Sequence, residues 1–322
     1  MKLSNLTFPI PFHKTWEIHD ASKIQTFLQC PRFYFYRYVL GWETEGSNIN
    51  LVFGEAWHRA MEYLLLNGYS KEGIAGAYKQ FLEYYREFFD EETDLERQPK
   101  APGNALEGLA GYVEEYQATD GDFDVLHTEC AGAVMISDRD DLHFRLDAVV
   151  KDRRGIFCLE HKTTSWSSSI WAAQWSTKFQ IDLYTHVLYM MYPPEQVFGI
   201  LVNGTIFRKN AVAFDRIPVK KSPAMMNEWM GNCLYILSLI EDNYHRLSKA
   251  SPADYYLDAF HKNPENCTKY NRTCPYMDLC ISWPNPLTRC EETPDYLTTV
   301  WWDPVEREKM ATTQMNLVKG GR

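Results

Sequence analysis

Residues 125–161 constrain the fold more than any other stretch, because the hydrophobic pattern changes period there. The segments 125–136, 142–151 and 155–161 are rich in β-branched and aromatic side chains. Turn chemistry separates them, first Asp138-Arg139-Asp140-Asp141 and then Asp152-Arg153-Arg154-Gly155. Short alternating runs joined by such turns predict a three-strand meander. Helical spacing surrounds it. Ser22-Lys23-Ile24-Gln25 fits a capping box ahead of Phe27 and Leu28, and Pro31 suits the first turn of a helix over 32–39. Further helices are expected over 51–66, 73–89, 105–116, 169–192 and 222–247, with strands at 197–207 and 211–219. The expected fold class is therefore α/β, a mixed central sheet flanked by helices.

The expected organisation is one domain over 1–322: a helical part (20–120), an α/β core (121–250), a Cys-rich segment (260–292) and a mobile tail (293–322) ending Lys319-Gly320-Gly321-Arg322. No apolar run approaches the ~20 residues that span a bilayer, and no signal segment opens the chain. The expectation is a cytoplasmic protein without a membrane partner, bacterial or phage-encoded. The sequence holds no GxxxxGK[ST] loop or GxGxxG turn, so no nucleotide cofactor is expected. Thirty-three Lys and Arg against 43 Asp and Glu leave a net charge of -10. Bulk attraction to nucleic acid is excluded, so any such contact must come from a local basic strip or a bound cation.

Chemistry concentrates on two adjacent strands. One carries Phe144-Arg145-Leu146-Asp147 and the next ends Glu160-His161-Lys162-Thr163. Alternation places Glu160 and Lys162 on one face, and pairing through the 152–155 turn brings Asp147 beside Glu160. Two carboxylates with room for water suit Mg²⁺ or Mn²⁺ and a phosphate. Taken alone, the pattern also fits solvent-facing ion pairs. His58 within Phe53-Gly54-Glu55-Ala56-Trp57-His58, and Gln180 and Tyr184 four apart on the following helix, would then be ordinary core and amphipathic residues.

In order, CPR after a capped helix, GxxxH in a helix, a strand Asp, ExKT, QxxxY and a late cysteine group resemble the RecB-like branch of the PD-(D/E)XK nuclease superfamily. That branch includes the AddB nuclease domain and CRISPR-associated exonucleases. The resemblance implies a restriction-endonuclease-like core. It makes His58, Asp147 and Glu160 metal ligands with the His161 backbone carbonyl, Lys162 the catalytic lysine, and Gln180 with Tyr184 the motif that positions lysine and strand. It also implies a 4Fe-4S cluster on Cys30, Cys267, Cys274 and Cys280. Zn²⁺ on Cys267, Cys274, Cys280 and Cys290 is the alternative.

The implied activity is metal-dependent exonucleolytic hydrolysis of DNA at single-stranded or frayed ends, in recombination, repair or phage or CRISPR DNA processing, with a helicase or recombination partner. A catalytically idle DNA-end-binding module and a restriction-type endonuclease are the alternatives. Expected strand contacts are Arg32, Arg37, Lys178, Arg208, Lys209, Lys220 and Lys221, with Tyr34, Trp166 and Trp171 as stacking rings.

Overall fold

The computed structural model describes residues 3–269 and 272–318; the expected Lys319–Arg322 end lies outside them. After two 3-10 turns, Leu3–Asn5 and Lys14–Glu17, come α1 (Ala21–Gln29) and α2 (Pro31–Tyr34), which runs into a π-helical turn at Phe35–Val39. The N-cap of α1 is Asp20, whose carboxylate accepts from Lys23 N at 2.8 Å. Ser22, expected to cap, sits inside the first turn, because an Asp two residues earlier does the same work equally well. After a short β1 (Trp42–Thr44) come α3 (Ile49–Asn67), α4 (Lys71–Tyr85) and α5 (Pro102–Asp120). Their apolar stripes, including Phe53, Trp57, Phe81, Leu109 and Tyr112, close into one core with Phe207.

The expected meander forms: β2 (Asp124–Met135), β3 (Asp141–Asp152) and β4 (Gly155–Thr164) are successively antiparallel. Gly155 holds φ +128° at the β3–β4 turn, a conformation that disfavours any side chain. The helix expected over 169–192 is two, α6 (Ser169–Ala173) and α7 (Phe179–Met191), split by a 3-10 turn at Gln174–Thr177. Hydroxyls break it: Ser176 and Thr177 donate back to the carbonyls of Ala173 and Gln174. Then follow β5 (Val197–Arg208), β6 (Ala211–Val219), α8 (Pro223–Leu247) and α9 (Met277–Ser282).

The expected tail is instead structured through residue 318. It forms β7 (Leu297–Thr299), paired with β1, then α10 (Pro304–Glu308) and β8 (Thr313–Leu317). β8 joins the central sheet parallel to β2, completing the order β6-β5-β4-β3-β2-β8. Gly132 permits this approach, since a Cβ there would lie 1.8 Å from the Met315 carbonyl oxygen. The sheet is thus mixed and lies between two helical layers, with α3–α5 in one core and α1, α7 and α8 in the other.

Candidate active site

The register of the sheet opens a fork at its centre. β3 and β4 pair from Asp152↔Gly155 up to Ala148↔Leu159. Beyond that point β3 stays with β2, while β4 follows β5 from Glu160↔Val202 to Thr164↔Ile206. The freed amide of His161 donates to Oδ2 of Asp147 at 2.7 Å, so the side chain continues a ladder the backbones have left. Into this fork α3 brings His58. The helix is started by Asn48, whose side chain accepts from Asn50 N, and it buries Val52, Phe53, Ala56, Trp57 and Ala60. His58 Nδ1 meets Oδ2 of Asp147 at 2.9 Å. From α7, Gln180 Nε2 donates to Oε1 of Glu160 at 3.4 Å and to Tyr184 Oη at 2.7 Å. Lys162 Nζ lies 2.5 Å from that same Glu160 oxygen.

His58, Asp147, Glu160, Lys162, Gln180 and Tyr184 therefore line one cleft, with a volume of about 240 Å³. Its electrostatics follow from burial. Burial and the neighbouring Asp147 carboxylate push the Glu160 carboxyl above the usual range, against Lys162. Burial opposes charge on Asp147 too, but His58, His161 and Lys162 hold its carboxyl below the usual range. Burial would lower His58, yet the Asp147 carboxylate raises it to about 9. The Lys162 ammonium is raised by Glu160 and Asp147 despite desolvation. Among the described residues, Oε2 of Glu160 is buried without a hydrogen-bond partner. An orphaned carboxylate oxygen beside a second carboxylate fits a hard divalent cation. Among the described residues, however, no three His, Cys, Asp or Glu side chains are already arranged around a metal position: the imidazole and ammonium occupy the carboxylates' attention. The ring of His161 points away from this group, buried near Tyr112 at 5.9 Å between ring centres.

The cleft also contains residues that the motif reading missed. Arg145, Glu55, His143 and, from the C-terminal segment, Trp302, Arg307 and Glu308 share its walls. His143 pairs with Glu308, and Trp302 Nε1 donates to Asp20 at 2.7 Å. Arg145 was legible as the same-face neighbour of Asp147 two positions earlier. Glu55 was legible one helical turn before His58.

Two expected strand contacts are corrected. Arg32 is 2% exposed, and its guanidinium donates to the Phe260 carbonyl at 2.9 Å and the Leu257 carbonyl at 3.4 Å. Arg37 is buried, donating to the Val300 carbonyl and pairing with Glu43. Both guanidiniums are spent on backbone carbonyls inside the fold, so neither is offered to a strand. Tyr34 and Trp171 are buried as well. Lys221 is committed to Asp182 at 2.8 Å, and Lys220 covers the Phe198 ring. Arg208, Lys209 and Trp166 are exposed, and Lys178 is half-buried at the start of α7.

The cysteines divide. Cys30, Cys267 and Cys274 line a second cavity of about 200 Å³, and the Asn263 amide donates to Cys30 Sγ at 3.4 Å. Burial, with the Cys274 and Cys30 thiols adding to it, raises the Cys280 thiol to about 11. Cys290 instead donates to the Leu287 carbonyl. Cys130, Cys158 and Cys233 are core residues. Among the described residues no helix is long and apolar enough to cross a membrane. A family model described as the PD-(D/E)XK nuclease superfamily matches residues 21–281, a span that contains His58, Asp147, Glu160, Lys162, Gln180 and Tyr184. No curated protein matches the chain.

Proposed function

The chain belongs to the PD-(D/E)XK nuclease superfamily, and from that premise we propose that it is a Mg²⁺- or Mn²⁺-dependent DNA exonuclease of the RecB-like branch, acting on single-stranded or frayed ends. Nuclease chemistry is the family's. Cation dependence rests above all on one observation: His58, Asp147, Glu160 and Lys162 meet in a cleft where, among the described residues, a buried Glu160 oxygen has no partner. Asp147 and Glu160, with His58 and the His161 carbonyl, would hold the cation. When bound, it would supply an activated water and offset charge growing on the scissile phosphate.

The chain's own residues do the rest. His58 fixes the orientation of Asp147. Gln180 and Tyr184 steady Glu160 from α7. Lys162 keeps an ammonium beside the attack position, able to orient water or a phosphate oxygen. Lys178, Arg208 and Lys209 remain available to follow a strand, with Trp166, 61% exposed, to stack an unpaired base. In this reading Cys30, Cys267, Cys274 and Cys280 carry a 4Fe-4S cluster that ties the two ends of the chain. The Asn263 amide on Cys30 Sγ supports it, as N–H donors stabilise thiolate ligands. Any unwinding of duplex DNA falls to a separate helicase, and the biological setting in this reading is recombination, repair, or phage or CRISPR DNA processing.

The test is degradation of end-labelled single-stranded DNA with Mn²⁺ by the wild type and by Asp147→Ala. The wild type should degrade it to short products and Asp147→Ala should not; equal degradation by both removes the assignment. Covalently closed plasmid should survive, whereas discrete fragments would indicate an endonuclease. A brown protein absorbing near ~400 nm that bleaches in Cys30→Ser supports the cluster. A colourless protein with one zinc, indifferent to Cys30→Ser, replaces it.

A further inference from the structure

Arg145 stands two residues before Asp147 on β3, and two other elements grip it. Its Nε donates to Oε2 of Glu129 on β2 at 2.7 Å, and its Nη2 lies 2.6 Å from that oxygen. The same Nη2 donates to Oε1 of Glu55 on α3 at 3.1 Å. Glu55 is one turn ahead of His58. Glu129 is buried and sits at φ +40°, a left-handed conformation costly for a non-glycine residue. The register pairs Thr128↔Ala148 and Cys130↔Leu146 set it opposite Asp147. A buried carboxylate next to another is expensive to leave unpaired, and Arg145 is its counter-ion. One planar guanidinium reaches both glutamates; a lysine ammonium is not built to do so.

We infer that Arg145 is a positioning residue: with Glu55 and Glu129 it clamps α3 onto β2 and β3, so that His58 arrives at Asp147 and the cation site is formed. The inference rests on the nuclease reading. Arg145 acts through His58 and Asp147, as outer partners of metal ligands do, and such partners typically govern affinity for the ion by about 10- to 100-fold. An arginine that only stabilised the fold would lower the melting temperature without changing the Mn²⁺ dependence.

The experiment measures Mn²⁺ binding to the full chain, without DNA, from the electron paramagnetic resonance signal of free Mn²⁺. Wild type, Arg145→Lys, Glu55→Ala and Asp147→Ala are compared, with folding checked by circular dichroism. Arg145→Lys should bind Mn²⁺ about 10- to 100-fold more weakly, with cleavage recovering at high Mn²⁺. Glu55→Ala, which leaves the buried Glu129–Arg145 pair intact, should be weakened in the same sense by about 10-fold. Undiminished affinity in a folded Arg145→Lys overturns the clamp; should that variant not fold, undiminished affinity in Glu55→Ala does so. Asp147→Ala separates the two readings. If it loses Mn²⁺ while the clamp variants keep it, only the clamp fails; if it binds like wild type, the nuclease site itself is wrong.

Discussion

The two faces of β4 differ by one residue of register and by nearly everything else. On one face Ile156 and Cys158 lead to Glu160 and Lys162 at the cleft; on the other Phe157 and Leu159 lead to His161 and Thr163 beneath α5. Both faces bury charge. Beneath His161 the charge is closed on itself: Arg216 donates to Asp120 at 2.7 and 2.8 Å and to Asn203 Oδ1 at 2.6 Å. Tyr112 Oη donates to Asp120 at 2.8 Å and accepts from Asn203 at 3.0 Å. At the cleft, Glu160 shares one oxygen between Lys162 and Gln180 and leaves the other without a partner among the described residues. The difference lies in the charged groups: Asp120 and Arg216 are fully paired, His161 above them leaves only a ring nitrogen, Nδ1, without a partner among the described residues, and the cleft leaves a carboxylate oxygen so. Paired charge holds a fold together, whereas an orphaned carboxylate oxygen can take up a cation.

That contrast can be broken, and the largest effect is expected at the cleft. Glu160→Gln keeps the shape and removes the charge, so cleavage should fall by about 10²- to 10³-fold, while the urea midpoint holds or rises because the repulsion between Glu160 and Asp147 is relieved and Lys162 keeps the Asp147 carboxylate as a counter-ion. A large loss of stability would make Glu160 part of the scaffold instead. Asp120→Ala should do the reverse, stranding Arg216 and costing about 3–5 kcal/mol in urea unfolding. The folded fraction at low temperature should still cleave. If its turnover per folded molecule drops as far as that of Glu160→Gln, the division between the faces is false.

The smallest effect is on pH, and its sign differs between the faces. Burial lowers His161 to about 4, below the unfolded value near 6.5. Its contribution is present above pH 6.5 and is lost as pH falls toward 4. Burial would lower His58 as well, but Asp147 lifts it to about 9. Its contribution is full below pH 6.5 and is lost as pH rises through 9. In chelator, His161→Asn should flatten the acid limb of the stability curve and His58→Asn the alkaline limb. Loss of the same limb in both variants would contradict the assignment.

Much of the sheet was legible because alternation and turn residues are local. The strands over 125–136, 142–151, 155–161, 197–207 and 211–219 match observed strands within a few residues. The helix over 169–192 was not, since its break is made by hydroxyls competing for carbonyls, a choice periodicity cannot register. β8 was hidden for a different reason: an edge strand paired on one side needs only a short run such as Thr313–Leu317, and its partner lies far back in the chain at Gly132. Arg32 and Arg37 looked like surface cations because nothing in their neighbourhood announces that distant carbonyls at Phe260 and Val300 will claim them.

The identities and order of His58, Asp147, Glu160, Lys162 and Gln180, and the side of β4 on which two of them lie, were written in the sequence, because residue type and strand period are properties of the chain itself. Tertiary structure alone decided that β3 and β4 part after Ala148 and Leu159, that Arg145 is clasped by two distant glutamates, and that the C-terminal segment walls the cleft. Those outcomes depend on which buried groups find partners, and a partner's position is set only when every element is packed at once.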